Sequence, residues 1–221
     1  MTNQEILSRI DHTLLKATAS REEIRTLCDE AIRFKTAAVC IPPSYVKPVY
    51  EEYDSRIVID TVIGFPLGYS IAAAKVLEAE RAVLSGAAEI DMVINIADVK
   101  NGHFDWVLEE IRLIKKAVGS RTLKVIVETC YLTEEEKIRL CGVVTEAGAD
   151  YIKTSTGFGT AGAVLEDVRL FKKHIGPAVR IKAAGGIKTR EDMEAFIEAG
   201  ASRIGTSSAV RLLTGGDAAG Y

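Results

Sequence analysis

Two lysines occupy positions where the sequence pattern predicts a protein interior. Lys153 lies in the segment 151–157 and Lys182 in the segment 180–186, and each segment reads as a short apolar strand ending in glycine. Lysine is rarely buried without a partner, because desolvation and a neighbouring ammonium group both disfavour its charged form. An amine that is neutral near pH 7 is a nucleophile for carbonyl carbon. The pair therefore predicts attack by a lysine amine on a carbonyl substrate.

Asp91 is the acidic residue expected to lie near these lysines. A purely structural role, in which carboxylates in the interior pair with the lysines, is the alternative interpretation. Two lysines and one aspartate leave an excess of positive charge, which is costly in a poorly solvated place unless one lysine is neutral. The balance favours a catalytic role, although the residues alone do not say which lysine attacks.

The composition is that of a globular protein with a substantial core. The chain has 221 residues, 48% of them hydrophobic, and a net charge of −3 without any basic stripe, which argues against nucleic-acid binding. We expect no membrane span and no signal peptide, and hence a cytoplasmic protein. The cysteines have no metal-site spacing and are predicted to be reduced thiols. They are Cys28, Cys40, Cys130 and Cys141.

Apolar strands alternate with amphipathic helices along the whole chain. The predicted strands are Ile10–Leu14, Ala37–Ile41, Ile57–Gly64, Glu89–Asn95, Leu123–Thr129, Tyr151–Ser155, Arg180–Ala184 and Arg203–Gly205. The predicted helices are Arg21–Phe34, Tyr45–Tyr53, Ile71–Leu84, Phe104–Val118, Glu134–Ala147, Leu165–Ile175, Arg190–Ala199 and Ala209–Leu213. Eight strand–helix units of this length predict a parallel (β/α)8 TIM barrel, as one domain over residues 1–221, rather than an open sheet.

Three segments, 86–91, 148–153 and 200–205, share one frame. Each has a glycine that ends a helix, a short turn, an isoleucine, and then a residue that differs between the segments. Because side chains alternate along a strand, isoleucines that face the helices place the next residue in the barrel interior.

The frame predicts one interior layer, since alternate strands supply each layer of such a barrel. Asp91, Lys153 and Gly205 belong to it, and Gly205 leaves space beside the other two. The same count on the second strand gives Cys40 as the fourth member. Lys182, on the seventh strand, belongs to a neighbouring layer.

The ends of the last two strands carry a pattern typical of phosphate binding. Gly185 and Gly186 follow the seventh strand, and Gly205 is followed by Thr206, Ser207 and Ser208 at the start of the last helix. Backbone N–H groups and a helix N-terminus at these loops commonly bind phosphate in TIM barrels. Capping of the last helix by the serines is the structural alternative.

Two further strand ends supply candidate substrate-binding residues. Thr154 directly follows Lys153, and Asp11 lies near the end of the first strand, where it is predicted to line the pocket. A capping or structural role for Asp11 is an equal alternative.

Other motifs argue against a cofactor or a metal ion. Residues 157–162 match the dinucleotide pattern G-x-G-x-x-G, but the acidic residue expected about 20 positions later is missing. We expect this loop to line the mouth above Lys153 instead. The histidines at 12, 103 and 174 lack ligand spacing, so no metal site is predicted.

The chain resembles the deoxyribose-phosphate aldolase family of class I aldolases. The resemblance rests on the segments 10–15, 38–43, 62–66, 89–95, 151–158 and 182–187. It implies a metal-free TIM barrel without a cofactor that acts on small phosphosugar and aldehyde substrates, as a homodimer or higher homo-oligomer. The implied reaction is reversible cleavage of 2-deoxy-D-ribose 5-phosphate to acetaldehyde and D-glyceraldehyde 3-phosphate, in deoxyribose phosphate catabolism.

The resemblance also implies roles for individual residues. Lys153 forms the Schiff base, Lys182 lowers the pKa of Lys153 and assists proton transfer, and Asp91 works with Lys182 and a water molecule. The family often ends in a tyrosine that reaches the site, and this chain ends at Tyr221 after a short glycine-rich segment.

Two other readings remain open at this point. One is another phosphosugar barrel enzyme, such as a different aldolase, a transaldolase or an isomerase. The other is a catalytically silent barrel that binds phosphosugars or a partner protein, against which the combination of Asp91, Lys153 and Lys182 argues.

Overall fold

A computed structural model describes residues 1–215 and contains a closed barrel of eight parallel strands. Each strand pairs with its neighbours in chain order, and the last strand pairs with the first. The strands are β1 Ile10–Thr13, β2 Ala38–Ile41, β3 Ile59–Ile63, β4 Glu89–Val93, β5 Thr122–Ile126, β6 Tyr151–Lys153, β7 Arg180–Ala184 and β8 Arg203–Thr206. The predicted (β/α)8 TIM barrel is confirmed.

Helices follow every strand and pack around the barrel. They are α1 Asn3–Leu7, α2 Arg21–Phe34, α3 Pro43–Tyr53, α4 Ala72–Leu84, α5 Ile96–Lys100, α6 Phe104–Val118, α7 Glu134–Glu146, α8 Leu165–His174, α9 Arg190–Ala199 and α10 Ala209–Thr214. The sequence analysis missed α1 and α5, which have five residues each and are too short for a periodic pattern. Within residues 1–215, no helix has the length and apolar character needed to cross a membrane.

Capping boxes set the start of three of the long helices. Ser20, Thr133 and Thr189 each accept a hydrogen bond from the backbone of an acidic residue three positions later, whose carboxylate accepts from the capping backbone N–H in return. These caps satisfy backbone N–H groups at the start of α2, α7 and α9, so each helix begins where its cap lies.

The alternation of side chains divides the apolar residues into two regions. The isoleucines of the shared frame, Ile90, Ile152 and Ile204, are fully buried in the core between sheet and helices. The residues that follow them face the barrel interior, as predicted. Several strands end earlier than predicted, for example β4 at Val93 and β5 at Ile126. The apolar run continues past each ladder because the chain stays buried as it turns toward a helix.

Candidate active site

The barrel interior contains a cluster of ion pairs centred on Asp91 of β4. Its Oδ2 atom lies 2.7 Å from Lys153 Nζ and 2.6 Å from Lys182 Nζ. Lys182 Nζ also lies 2.5 Å from Asp11 Oδ2 and 3.0 Å from Asp60 Oδ2. The structure therefore brings together the two lysines and the aspartate that the sequence singled out, with two more carboxylates behind them.

Four residues of this cluster were not predicted. Lys124 Nζ of β5 lies 2.8 Å from Asp91 Oδ1, 2.9 Å from Asp60 Oδ1 and 2.7 Å from Glu89 Oε2. Arg203 of β8 contacts Glu89 as well, at 3.0 Å, and pairs with Asp11. We call the following residues the interior charge cluster: Asp11, Asp60, Glu89, Asp91, Lys124, Lys153, Lys182 and Arg203.

The predicted excess of positive charge in the interior is wrong. The cluster has four carboxylates and four cations, so each buried charge has partners of opposite sign. The strand register contained the missing signal, because Lys124 is the partner of Asp91 across β4 and β5, and Asp60 and Glu89 are partners across β3 and β4. Register cannot be read from a single sequence, so these residues looked like isolated charges in apolar runs.

The cluster holds Lys182 and Asp91 in their charged forms. Burial disfavours the ammonium group of Lys182, but the carboxylates of Asp11, Asp60 and Asp91 raise its pKa well above the ordinary value. Burial likewise opposes ionisation of Asp91, yet the surrounding lysines hold the pKa of its carboxyl well below the usual range. A fixed cation and a fixed anion thus flank the amine of Lys153.

A pocket of about 400 Å³ opens at the carboxyl ends of the strands, directly above this cluster. Lys153 lines it with 3% of its surface exposed, whereas Lys182 and Asp91 are fully buried beneath it. Lys153 is the one residue of this cluster that lines the pocket, so its amine is the group that a bound molecule would meet.

Five of the predicted phosphate-binding residues line this pocket, namely Gly185, Gly186, Gly205, Ser207 and Ser208. The first two have positive φ angles of 84° and 76°, a conformation that glycine adopts without strain.

The predicted serines differ in how free their hydroxyl groups are. Ser207 is exposed, whereas the hydroxyl of Ser208 lies 3.1 Å from Thr206 Oγ1. Sequence reasoning missed three cations that line the same pocket, Lys16, Lys188 and Arg211, because they lie on three separate segments.

The structure places three other candidate residues away from the pocket surface. Thr154 is fully buried, and its hydroxyl bonds the backbone of Ala184. Cys40 is also fully buried, and burial raises the pKa of its thiol well above the usual value. Asp11 was predicted to line the pocket, but it does not, because its carboxylate is fully buried between Lys182 and Arg203.

The four residues of the predicted interior layer all face the barrel interior. Asp91 and Lys153 touch, and the thiol of Cys40 lies within 4.8 Å of ligand atoms of Asp60 and Asp91. Gly205 faces the interior too, since a Cβ atom added there would lie 3.2 Å from Lys182 Cε.

The loop after β6 lines the mouth of the pocket with Gly157 and Phe158, as predicted for residues 157–162. Buried Glu128, at a positive φ of 54°, anchors this loop by accepting hydrogen bonds from the Thr156 backbone N–H and hydroxyl. Phe158 in turn meets the edge of Phe65, with ring centroids 5.3 Å apart. The loop is thereby fixed above Lys153.

The interior carboxylates also form two groups with metal-ligand spacing, Cys40–Asp60–Asp91 and Asp11–Asp60–Glu89. Ammonium groups already lie within 3.0 Å of the central carboxylate of both groups, since Asp60 contacts Lys124 and Lys182. A metal cation there would be repelled by two fixed positive charges, so these groups do not fit a metal ion.

Comparison with known proteins assigns this arrangement to a family. The family model described as DeoC/LacD family aldolase matches residues 6–215. The chain belongs to the DeoC/LacD family of aldolases. The deoxyribose-phosphate aldolase of Clostridium botulinum strain Alaska E43 is 60% identical over the full length of both chains. That of Clostridioides difficile strain 630 is 56% identical over 99% of this chain and 100% of its own.

A solved structure from the same family agrees with the fold. The tetrameric deoxyribose phosphate aldolase of Aeropyrum pernix is 32% identical, with a TM-score of 0.88 over 96% of this chain and 91% of its own. Tyr221, which the family resemblance suggested could reach the site, lies outside the described residues.

Proposed function

We propose that this chain is a class I aldolase that reversibly cleaves 2-deoxy-D-ribose 5-phosphate to acetaldehyde and D-glyceraldehyde 3-phosphate. The observation that carries the proposal is the position of Lys153, whose amine lines the pocket while touching Asp91 at 2.7 Å. The relatives named as deoxyribose-phosphate aldolases support the choice of substrate.

The proposed reaction begins when the ammonium group of Lys153 gives its proton to a water molecule in the pocket, and the resulting neutral amine attacks the C1 aldehyde of the open-chain sugar. Loss of water gives an iminium ion, which withdraws electrons from the neighbouring carbon. Deprotonation of the C3 hydroxyl then breaks the C2–C3 bond, releasing glyceraldehyde 3-phosphate and leaving an enamine on Lys153. Protonation of the enamine at C2 and hydrolysis of the imine release acetaldehyde and restore the amine.

Lys182 and Asp91 are the proposed proton-handling groups. Lys182 Nζ lies 2.6 Å from Asp91 Oδ2, and the same carboxylate oxygen also contacts the attacking Lys153. Lys182, which is protonated at rest, can donate a proton and later regain one, and a water molecule in the pocket can carry protons to and from the substrate. The fixed charges also stabilise changes of charge on Lys153 without reorganisation.

The phosphate group of the substrate is proposed to bind where the segments after β7 and β8 line the pocket. Gly185, Gly186, Ser207 and Ser208 offer backbone and hydroxyl groups there, and the side chains of Lys188 and Arg211 add positive charge.

The alternative within the same chemistry is another phosphosugar aldolase or a transaldolase. A turnover assay with deoxyribose 5-phosphate, detecting acetaldehyde and glyceraldehyde 3-phosphate separately, tests the proposal directly. Transfer of a three-carbon unit from a ketose phosphate, without acetaldehyde release, would indicate a transaldolase instead. Absence of any covalent imine would favour an isomerase or a barrel that only binds its ligand.

We also propose that the barrel is the single domain of a homo-oligomeric enzyme of the cytoplasm. The tetrameric structure of the Aeropyrum pernix relative supports the oligomer. The four cysteines are free thiols, which is compatible with a reducing compartment.

A further inference from the structure

Asp60 on β3 is a buried charge that the proposed reaction does not use. It is fully buried, does not line the pocket, and its two carboxylate oxygens point to different lysines. Oδ2 accepts a hydrogen bond from Lys182 at 3.0 Å, and Oδ1 lies 2.9 Å from Lys124 Nζ. Asp60 therefore connects two of the three lysines that contact Asp91.

We propose that Asp60 is a positioning residue, which fixes the ammonium group of Lys182 against Asp91 and opposite Lys153. The proposal rests on the proposed function, because it assigns Asp60 to the proton-transfer part of the aldolase reaction. Asp60 itself does not touch the substrate.

The geometry around Lys182 supports this role. Its Nζ atom has carboxylate oxygens from three strands around it, at 2.5 Å from Asp11, 3.0 Å from Asp60 and 2.6 Å from Asp91. Asp60 and Asp91 accept hydrogen bonds from this ammonium group, and Asp11 adds an ion-pair contact, so the three carboxylates together determine where the charge lies and how it is oriented. Loss of the Asp60 carboxylate would let Lys182 shift toward Asp11, away from the reacting lysine.

Asparagine cannot replace Asp60 in this position. The carboxylate faces a lysine with each of its two oxygens, whereas an amide has one oxygen and one NH₂ group. One of the two lysines would thus meet a donor instead of an acceptor. The Asp60→Asn variant keeps the shape of the side chain, but it removes the negative charge and leaves one of the two lysines without a carboxylate oxygen.

Asp60 is also the carboxylate next to Lys182 that gains a proton first on acidification. The groups that face it are Asp11 of β1, Cys40 of β2, Glu89 and Asp91 of β4, Lys124 of β5 and Lys182 of β7. Burial and the negative charge of Asp91 raise the pKa of Asp60 to about 6, although Lys124 and Lys182 oppose this. The pKa of Asp11 is lowered to about 2, and that of Asp91 lies well below its usual range.

The test compares Asp60→Asn with Glu89→Gln in the full-length protein. Glu89 is a carboxylate of the same cluster that contacts Lys124 and Arg203, so its variant removes the same charge without touching Lys182. For each protein we would measure kcat and KM for deoxyribose 5-phosphate between pH 5 and 8. Exchange of acetaldehyde methyl protons with D₂O, followed by NMR, would report proton transfer alone.

We expect kcat and the exchange rate of Asp60→Asn to fall about 10- to 100-fold at pH 7.5, with KM little changed. The wild type and Glu89→Gln should lose activity on acidification near pH 6, whereas Asp60→Asn should not. Wild-type activity at pH 7.5 in Asp60→Asn, or an unchanged acid limb in that variant, would overturn the proposal.

Two further measurements keep the proposal testable. If Asp60→Asn does not fold, as judged by urea unfolding, Asp60→Ser takes its place with the same expected results. If neither folds, a wild-type kcat that stays constant from pH 7.5 to 5 would contradict the proposal. A wild type without turnover and without an imine adduct would instead refute the aldolase function itself.

Discussion

At the scale of single residues, the reactivity of Lys153 depends on its contact with both the pocket and a balanced set of buried charges. Removing one partner from such a set leaves an unpaired charge and typically costs about 3–5 kcal/mol. The cluster therefore ties the stability of the barrel to the arrangement of its reacting groups. Lys182 is held as a cation by three carboxylates, which suits a group that donates protons rather than one that attacks carbonyl carbon.

The phosphate wall of the pocket gives a prediction for a single side chain. Ser207 is exposed and lines the pocket, so Ser207→Asp places a negative charge where the phosphate dianion is proposed to bind. KM for deoxyribose 5-phosphate should rise at least about 10-fold, because like charges repel in a partly desolvated site. KM for unphosphorylated deoxyribose should change little.

The control for Ser207→Asp is Ser120→Asp. Ser120 is exposed just before β5, at the opposite end of the barrel from the pocket. Its substitution by aspartate therefore changes the net charge by the same amount without placing a charge near the pocket. Equal effects of Ser207→Asp on both sugars would place the phosphate site elsewhere.

At the scale of elements, each strand contributes to two environments through its alternating side chains. On β8, Ile204 packs against the helices while Gly205 faces the interior, where a Cβ atom would lie 3.0 Å from Ala184 Cβ and 3.2 Å from Lys182 Cε. The missing side chain of Gly205 thus makes room for Lys182 and for the pocket above it.

Gly205→Val should reduce activity far more than stability. Overpacking of a core typically costs about 1–3 kcal/mol, so the variant is expected to fold. Displacement of Lys182 and filling of the pocket should lower kcat/KM about 100-fold. Steady-state kinetics and urea unfolding on the same preparation measure both effects.

The control variant for this prediction is Gly142→Val. Gly142 lies exposed in α7, and an added Cβ atom there meets nothing within 4 Å. A loss of activity in Gly205→Val that merely follows the fraction unfolded would contradict the interior placement.

Periodicity and caps were sufficient to predict the barrel and eight of the ten α-helices in residues 1–215, since these depend on local patterns. The pairing of strands was not predictable in the same way. Lys124 and Asp60 each appear as a single charge within an apolar run, and only the register of β3, β4 and β5 shows that they meet Asp91. The cations Lys16, Lys188 and Arg211 meet at the pocket only because the barrel closes.

At the scale of the whole molecule, closure of the barrel excludes water from the charge cluster and couples its titration to folding. The pKa of Asp11 is lowered from 3.8 to about 2, because the cations Lys182, Lys124 and Arg203 outweigh the effect of burial. A carboxyl with a lowered pKa stabilises the folded state above its unfolded pKa, and this contribution is lost as pH falls through the folded value.

The resulting prediction concerns the pH dependence of the free energy of unfolding. The wild type should exceed Asp11→Asn in stability at pH 4.5, and this difference should shrink by about 1.5 kcal/mol by pH 2.5. Urea unfolding at both pH values measures it. A difference in stability that stays constant over this range would mean that the neighbouring cations do not lower the pKa of Asp11.

Lys153 is the proposed nucleophile, and a chemical trapping experiment can identify the lysine that forms the imine. Borohydride reduction in the presence of acetaldehyde should fix the imine as an ethyl group on the lysine that formed it, which peptide mass spectrometry then locates. We expect the adduct on Lys153, and none in Lys153→Arg, because arginine stays protonated and cannot form the imine. An adduct on Lys182, with Lys153 unmodified, would contradict the account.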